Sequence, residues 1–277
     1  MGFMARANRQ GIRAGAVVVA AAAAVAVTVW GASTFVGPGH GTGQRPAHEN
    51  VSRETGAPDG GAKNGAPSSL IPDGIAHASE SGGNAVNITI DDGPDPQWTP
   101  KVLDVLKKYD VKATFCMIGP QAKAHPDLVK RVVAAGHRLC DHTMNHNTAM
   151  DKKPVAYQEQ QILDAKKMIE DAAGGGAKVE YYRAPGGAFT PDSRRIAAAN
   201  GMRPLGWNVD TKDFGKPGAA TIVNAVKSEI GNGPTILFHD GGGNRSQTVE
   251  ALDQVLDWLK DQGRPTGFPV RTAPDGS

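Results

Sequence analysis

Between residues 85 and 262, short apolar runs alternate with longer stretches in which apolar side chains recur at helical spacing. Six runs read as strands: 86–91, 112–117, 138–141, 181–183, 203–208 and 235–239. Six amphipathic stretches read as helices: 99–109, 126–135, 155–173, 192–200, 219–230 and 248–262. Local signals agree, with Asp127 and Asp192 near helix starts and Gly136, Gly174 and Gly201 just past helix ends. Strict strand–helix alternation predicts a parallel sheet with helical crossovers. About 180 residues is short for a full eight-fold barrel. No G-x-G-x-x-G follows the first strand, which argues against a nucleotide-binding sheet. The pattern predicts an α/β fold, a distorted (β/α) barrel of seven or fewer parallel strands, in a single domain over 84–277.

Upstream the texture changes twice. Residues 14–36 form an uncharged Ala/Val-rich run of 23 residues, preceded by Arg6, Arg9 and Arg13. That length spans a bilayer, and the basic flank stays on the cytoplasmic side. Residues 1–36 are therefore expected to be a signal peptide or an N-terminal membrane anchor that meets the membrane or the export machinery, with the rest of the chain extracellular. Gly31, Ala32 and Ser33 suit cleavage while Trp30 does not, so both fates stay open. Residues 37–83 are rich in Gly, Pro, Ser and Ala and predict a flexible linker, with His40, His48 and His77 as solvated side chains. Thirty basic against 28 acidic residues give a net charge of +2. No basic stripe interleaved with aromatics is present, so nucleic acid is not an expected partner.

In parallel α/β folds the chemistry gathers at the carboxyl ends of the strands. Five of the six predicted strands end in charged or imidazole side chains: Asp91-Asp92, Asp141-His142 with His146, Arg183, Asp210 with Asp213, and His239-Asp240. Each has a plain reading alone. Asp91-Asp92-Gly93-Pro94 is a turn, and histidines four apart share the exposed face of a helical turn. Together, Asp92, His142 and His146 supply one carboxylate oxygen and two ring nitrogens, the open three-ligand pattern of a catalytic zinc or similar ion. An arginine fork at 183 suits fixing a carboxylate, and a glycine at 186 leaves a backbone N–H free to approach an oxyanion. Asp91 and Asp92, adjacent at a strand end, are expected to point in different directions. Cys116 and Cys140 lie near the carboxyl ends of consecutive strands. If those strands adjoin, a disulfide is geometrically possible and export permits it; two buried free thiols are the alternative.

Read together, Thr89-Ile90-Asp91-Asp92-Gly93-Pro94, His142-Thr143-Met144-Asn145-His146, Arg183-Ala184-Pro185-Gly186-Gly187, Asp210-Thr211-Lys212-Asp213-Phe214 and Leu237-Phe238-His239 resemble, in order, the five motifs of the polysaccharide deacetylases of carbohydrate esterase family 4. The similarity runs from about residue 84 to 262. It implies a metal-dependent hydrolase removing N-acetyl groups from an N-acetylglucosamine glycan: peptidoglycan, chitin or chito-oligosaccharide. Acetylxylan esterase, or an inactive glycan-binding homologue, is the alternative. It further implies a divalent ion, Zn2+ foremost, on Asp92, His142 and His146. Asp91 would be the base held by Arg183, and His239 the acid oriented by Asp213. Gly186, Leu237 and Phe214 would border the substrate. Two departures stand out: Phe214 where the family has Trp, and Gly186 where it commonly has an aromatic residue.

Overall fold

The computed structural model describes residues 71–275. The segment 1–36 and the linker up to residue 70 lie outside the described residues. No described helix is long and apolar enough to cross a membrane.

Strand β1 (Val86–Asp91) is buried at all six positions, as befits a central parallel strand covered on both faces. It lies between β2 (Ala113–Met117) and β7 (Thr235–His239). Beyond β2 follow β3 (Arg138–Asp141), β4 (Val179–Tyr182) and β5 (Arg203–Pro204); beyond β7 lies β6 (Val209–Asp210). All these pairings are parallel, and a two-residue β8 (Thr266–Gly267) joins the start of β1. Helices α1 (Thr99–Lys108), α3 (Pro126–Ala134), α4 (Val155–Ala173), α5 (Pro191–Ala199), α6 (Ala219–Glu229) and α7 (Ser246–Asp261) supply the crossovers, with a short α2 (Gly119–Ala124) before α3. In α7 the buried residues Thr248, Ala251, Leu252, Val255, Leu256 and Leu259 form one stripe at i, i+3, i+4 and i+7 spacing, which is what seats the helix.

Of the predicted strand over 203–208 only 203–204 is a strand, β5; the chain then leaves the sheet and re-enters it as β6 at the opposite edge. Only residues 205–208 join β5 to β6, and a chain advances at most about 3.6 Å per residue. The two edges must therefore lie close together, which curls the seven strands into the expected distorted barrel. The seam is filled from below 84. Ala76 is fully buried and bridges Leu205, its N–H donating to the Pro204 carbonyl and its own carbonyl accepting from Gly206 N–H. Residues 71–83, expected as the end of a linker, are thus part of the fold. His77 is not a solvated linker side chain: Asp275 accepts from its backbone N–H at 2.7 Å and sits 3.3 Å from its ring.

Cys116 and Cys140 are register partners on β2 and β3, with Cα atoms 4.1 Å apart, and they form a disulfide. The helix α2 escapes the periodicity reading because six residues opening on Gly-Pro give no two-turn stripe.

Candidate active site

The carboxyl ends of β1, β3, β4, β6 and β7 converge on a cleft of about 350 Å³. Asp91 ends β1 and is 2% exposed. Its Oδ1 accepts from Arg183 Nη1 at 2.7 Å. Arg183 is fully buried and uses four of its five N–H groups: it also donates to Thr89 Oγ1, to the Leu205 carbonyl and to the Gly206 carbonyl. One guanidinium therefore ties β1 to the seam of the barrel, and its fork geometry leaves Asp91 one fixed position.

Asp92 does not point away from Asp91 as strand alternation would dictate. Its φ of 77° takes the chain out of the strand. Its Oδ1 returns to the same imidazole that faces Asp91: His142 Nε2 is 3.6 Å from Asp92 Oδ1 and 3.5 Å from Asp91 Oδ2. His146 Nε2 lies 3.3 Å from Asp92 Oδ1. The two histidines sit on an irregular loop with positive φ at Thr143 and His146, not on a helical turn. Their rings meet edge to face at 5.0 Å.

The tautomer of His142 follows from its partner. Nδ1 lies 2.8 Å from the Arg183 carbonyl, which can only accept, so Nδ1 carries the proton and Nε2 offers its lone pair toward the carboxylates. Burial holds the His142 pKa below its ordinary value, in spite of Asp91 and Asp92 beside it. A neutral imidazole lone pair facing a carboxylate oxygen is repulsive unless a cation lies between. Donor atoms of Asp92, His142 and His146 all lie within 4.8 Å of one another, and Asp92 Oδ1 is buried without a hydrogen-bond partner among the described residues.

Across the cleft His239 ends β7. Its Nδ1 is 2.6 Å from Asp213 Oδ1, and its backbone N–H donates to Asp213 Oδ2 at 2.9 Å. Thr248 Oγ1 donates to the same Oδ2 at 2.8 Å, and Thr211 Oγ1 lies 3.1 Å from Oδ1. Burial opposes charge on both groups, but their mutual hydrogen bond wins: the Asp213 pKa falls below, and the His239 pKa rises above, its ordinary value. With Nδ1 turned to Asp213, His239 Nε2 is left for the cleft. Phe214, 54% exposed, stands edge to face with His239 at 5.9 Å.

Leu237 and Gly186 line the cleft as well. Gly186 has φ 61°, and a Cβ there would meet Thr148 at 3.3 Å, so the backbone itself forms this part of the rim. Every predicted site residue is therefore at one site, apart from the disulfide cysteines, which lie beside it on β2 and β3. Thr148, Trp207 and Asp210 line the cleft without having been assigned a role from sequence. Trp207 was findable as the lone tryptophan beside a charged strand end; Thr148 carries no such signal. Asp240, next to His239, is fully buried with Oδ2 bonded to Thr99, and burial raises its pKa to about 7.

Comparison with known proteins gives a consistent match. The family profile described as polysaccharide deacetylase matches residues 78–205. A chitooligosaccharide deacetylase of Sinorhizobium fredii is 38% identical over 208 residues, covering 71% of this chain and 93% of the relative. A peptidoglycan-N-acetylglucosamine deacetylase of Bacillus cereus is 41% identical over 180 residues, covering 64% and 83%. Among solved structures, the peptidoglycan N-acetylglucosamine deacetylase Bc1960, in complex with an N-hydroxybenzamide, superposes with a TM-score of 0.65 at 32% identity, covering 70% of this chain and 90% of that one.

Proposed function

This chain belongs to the polysaccharide deacetylase family, and on that premise we propose how its residues divide the work of removing N-acetyl groups from N-acetylglucosamine glycans. The observation that carries the proposal is the convergence of Asp92, His142 and His146 around a buried carboxylate oxygen that has no hydrogen-bond partner among the described residues. These residues fit a divalent ion: two imidazole lone pairs, one of them fixed by the Arg183 carbonyl, and one anionic oxygen. That donor set suits zinc, as it suits other divalent transition ions. When bound, such an ion polarises the acyl carbonyl and acidifies a coordinated water.

The protein supplies the proton transfers. Asp91, fixed through Oδ1 by Arg183, has Oδ2 free toward the cleft and takes the proton of the attacking water. Amide cleavage then requires a proton for the departing amine, because an amide anion is a very poor leaving group. His239 supplies it from Nε2. Asp213 keeps Nδ1 protonated and its charge favours the imidazolium that must be present beforehand. A positioned acid and base contribute about 10²–10⁴-fold each. Phe214, Leu237 and Gly186 border the sugar, with the exposed Phe214 ring offering an apolar face beside the acid.

Acetate release from N-acetylglucosamine oligomers, peptidoglycan and acetylated xylan, measured before and after chelation, tests this reading. Turnover of the N-acetyl substrates that is lost on chelation and restored by zinc is expected. Chelator-resistant turnover, or a preference for xylan, would overturn it.

We further propose that the domain works outside the cell, at the end of its N-terminal segment. Arg6, Arg9 and Arg13 before the apolar run support this, as does the Cys116–Cys140 disulfide, a bond that persists in oxidising compartments. Protease treatment of intact cells should remove the domain; full protection would refute the placement.

A further inference from the structure

Arg245, in the turn between β7 and α7, is 2% exposed, yet among the described residues its guanidinium bonds backbone carbonyls and forms no salt bridge. Burying a cation without an ion-pair partner is unfavourable, so its contacts should explain its place. Nε donates to the Gly241 carbonyl at 2.5 Å, and Nη1 donates to the Asp213 carbonyl at 3.0 Å. Gly241 lies two residues after His239, whereas Asp213 lies 26 residues before it. A single planar fork thus grips both segments that carry the Asp213–His239 pair.

The same grip reaches the other half of the site. A Cβ on Gly241 would stand 2.4 Å from the Asp92 carbonyl oxygen. A Cβ on Gly242 would stand 3.0 Å from Arg245 Nη2 and 3.6 Å from Asp92 Oδ2. The two glycines are pressed between the guanidinium and the backbone of Asp92. The Asp92 backbone is thus a fixed wall against which the guanidinium seats the Gly241 loop. Lysine, a point donor on a flexible stem, cannot hold two carbonyls in one plane.

From these contacts we infer that Arg245 is a positioning residue for the general acid, setting His239 Nε2 over the cleft by fixing the Gly241 loop to the Asp213 backbone. The inference rests on the assignment of His239 as the acid, proposed above. A positioning role predicts a loss that depends on the leaving group. Departure of an amine needs the proton; departure of 4-nitrophenolate from 4-nitrophenyl acetate does not.

The test compares zinc-loaded wild type, Arg245→Ala, Arg245→Lys and His239→Ala on N-acetylglucosamine oligomers and on 4-nitrophenyl acetate, with zinc affinity and melting measured alongside. Misplacing an acid forfeits part of its catalytic contribution, so kcat on the oligomers should fall about 10- to 10²-fold in Arg245→Ala, with KM little changed. Ester hydrolysis and zinc affinity should stay near wild type, and Arg245→Lys should recover part of the loss. Equal losses on both substrates, or an undiminished oligomer rate, would overturn the inference. If Arg245→Ala does not fold, Arg245→Lys carries the same comparison. Should His239→Ala itself lose both activities equally, the acid assignment falls, and the inference falls with it. An amide-selective loss in His239→Ala without one in the Arg245 variants overturns the inference alone.

Discussion

Replacing Asp213 by asparagine probes the acid with little change of shape. The Asp213 carboxylate accepts from His239 Nδ1 at 2.6 Å in a fully buried position, a charge-assisted bond whose net contribution is about 1.5–3 kcal/mol. Much of that energy favours the imidazolium over the neutral ring, because only the charged ring attracts the carboxylate electrostatically. Lost in full, it lowers the protonated fraction of His239 at alkaline pH by about 10- to 150-fold. The sign follows from the raised His239 pKa: the proton is held below that pKa and lost as pH rises through it. In Asp213→Asn the alkaline limb of amide turnover should therefore move to lower pH. Burial, which opposes the charge, is no longer outweighed by Asp213. The assay is kcat/KM against pH for oligomer deacetylation, paired with 4-nitrophenyl acetate. An alkaline limb that stays in place, or equal losses on amide and ester, would refute the reasoning.

Other outcomes follow from the same contacts. Asp92→Asn weakens one of three ligands, and since even outer-shell changes cost metal sites about 10- to 10²-fold in affinity, zinc binding by calorimetry should fall at least that far; unchanged affinity would remove Asp92 from the ligand set. His137 is buried with Nδ1 accepting from Ala113 N–H, and burial, with Lys112 nearby, lowers its pKa from 6.5 to about 4. Between those values the unfolded chain binds the extra proton, so up to about 3 kcal/mol of stability is present above pH 6.5 and is lost as pH falls toward 4. Urea midpoints should show this slope, and His137→Gln should flatten it; an identical slope in the variant would count against it. The disulfide closes a loop with a sequence separation of 24, which the chain-entropy relation values at about 3.5 kcal/mol, so the Cys116→Ala/Cys140→Ala double variant should melt well below wild type; equal melting would show that the bond adds no stability.

The sequence by itself determined most of the local structure, because local structure is where periodicity acts. Helix α4 occupies 155–173 as its spacing predicts, and the apolar runs at 86–91 and 235–239 are strands over those same residues. The charged residues at strand ends also revealed the site, since a parallel sheet places every such end on one side. What periodicity could not carry was anything set by contacts between distant segments. The run at 203–208 reads as one strand, yet it stops at 204, because the curl of the sheet brings the next strand, at 209–210, to the opposite edge. Ala76 and His77 sit in a stretch with linker composition, yet they are held by Leu205 and Asp275, far away in the chain. Strand alternation would have turned Asp91 and Asp92 apart. The left-handed turn at Asp92 and the loop through His146 bring both carboxylates to one imidazole instead. Arg245 and Thr248 carry no sequence signal beyond a position just before, and at the start of, the helix predicted over 248–262. Folding gave them their roles by placing α7 against Asp213, because a hydrogen bond needs its partner within about 3 Å and no sequence spacing fixes that distance across 32 or 35 residues.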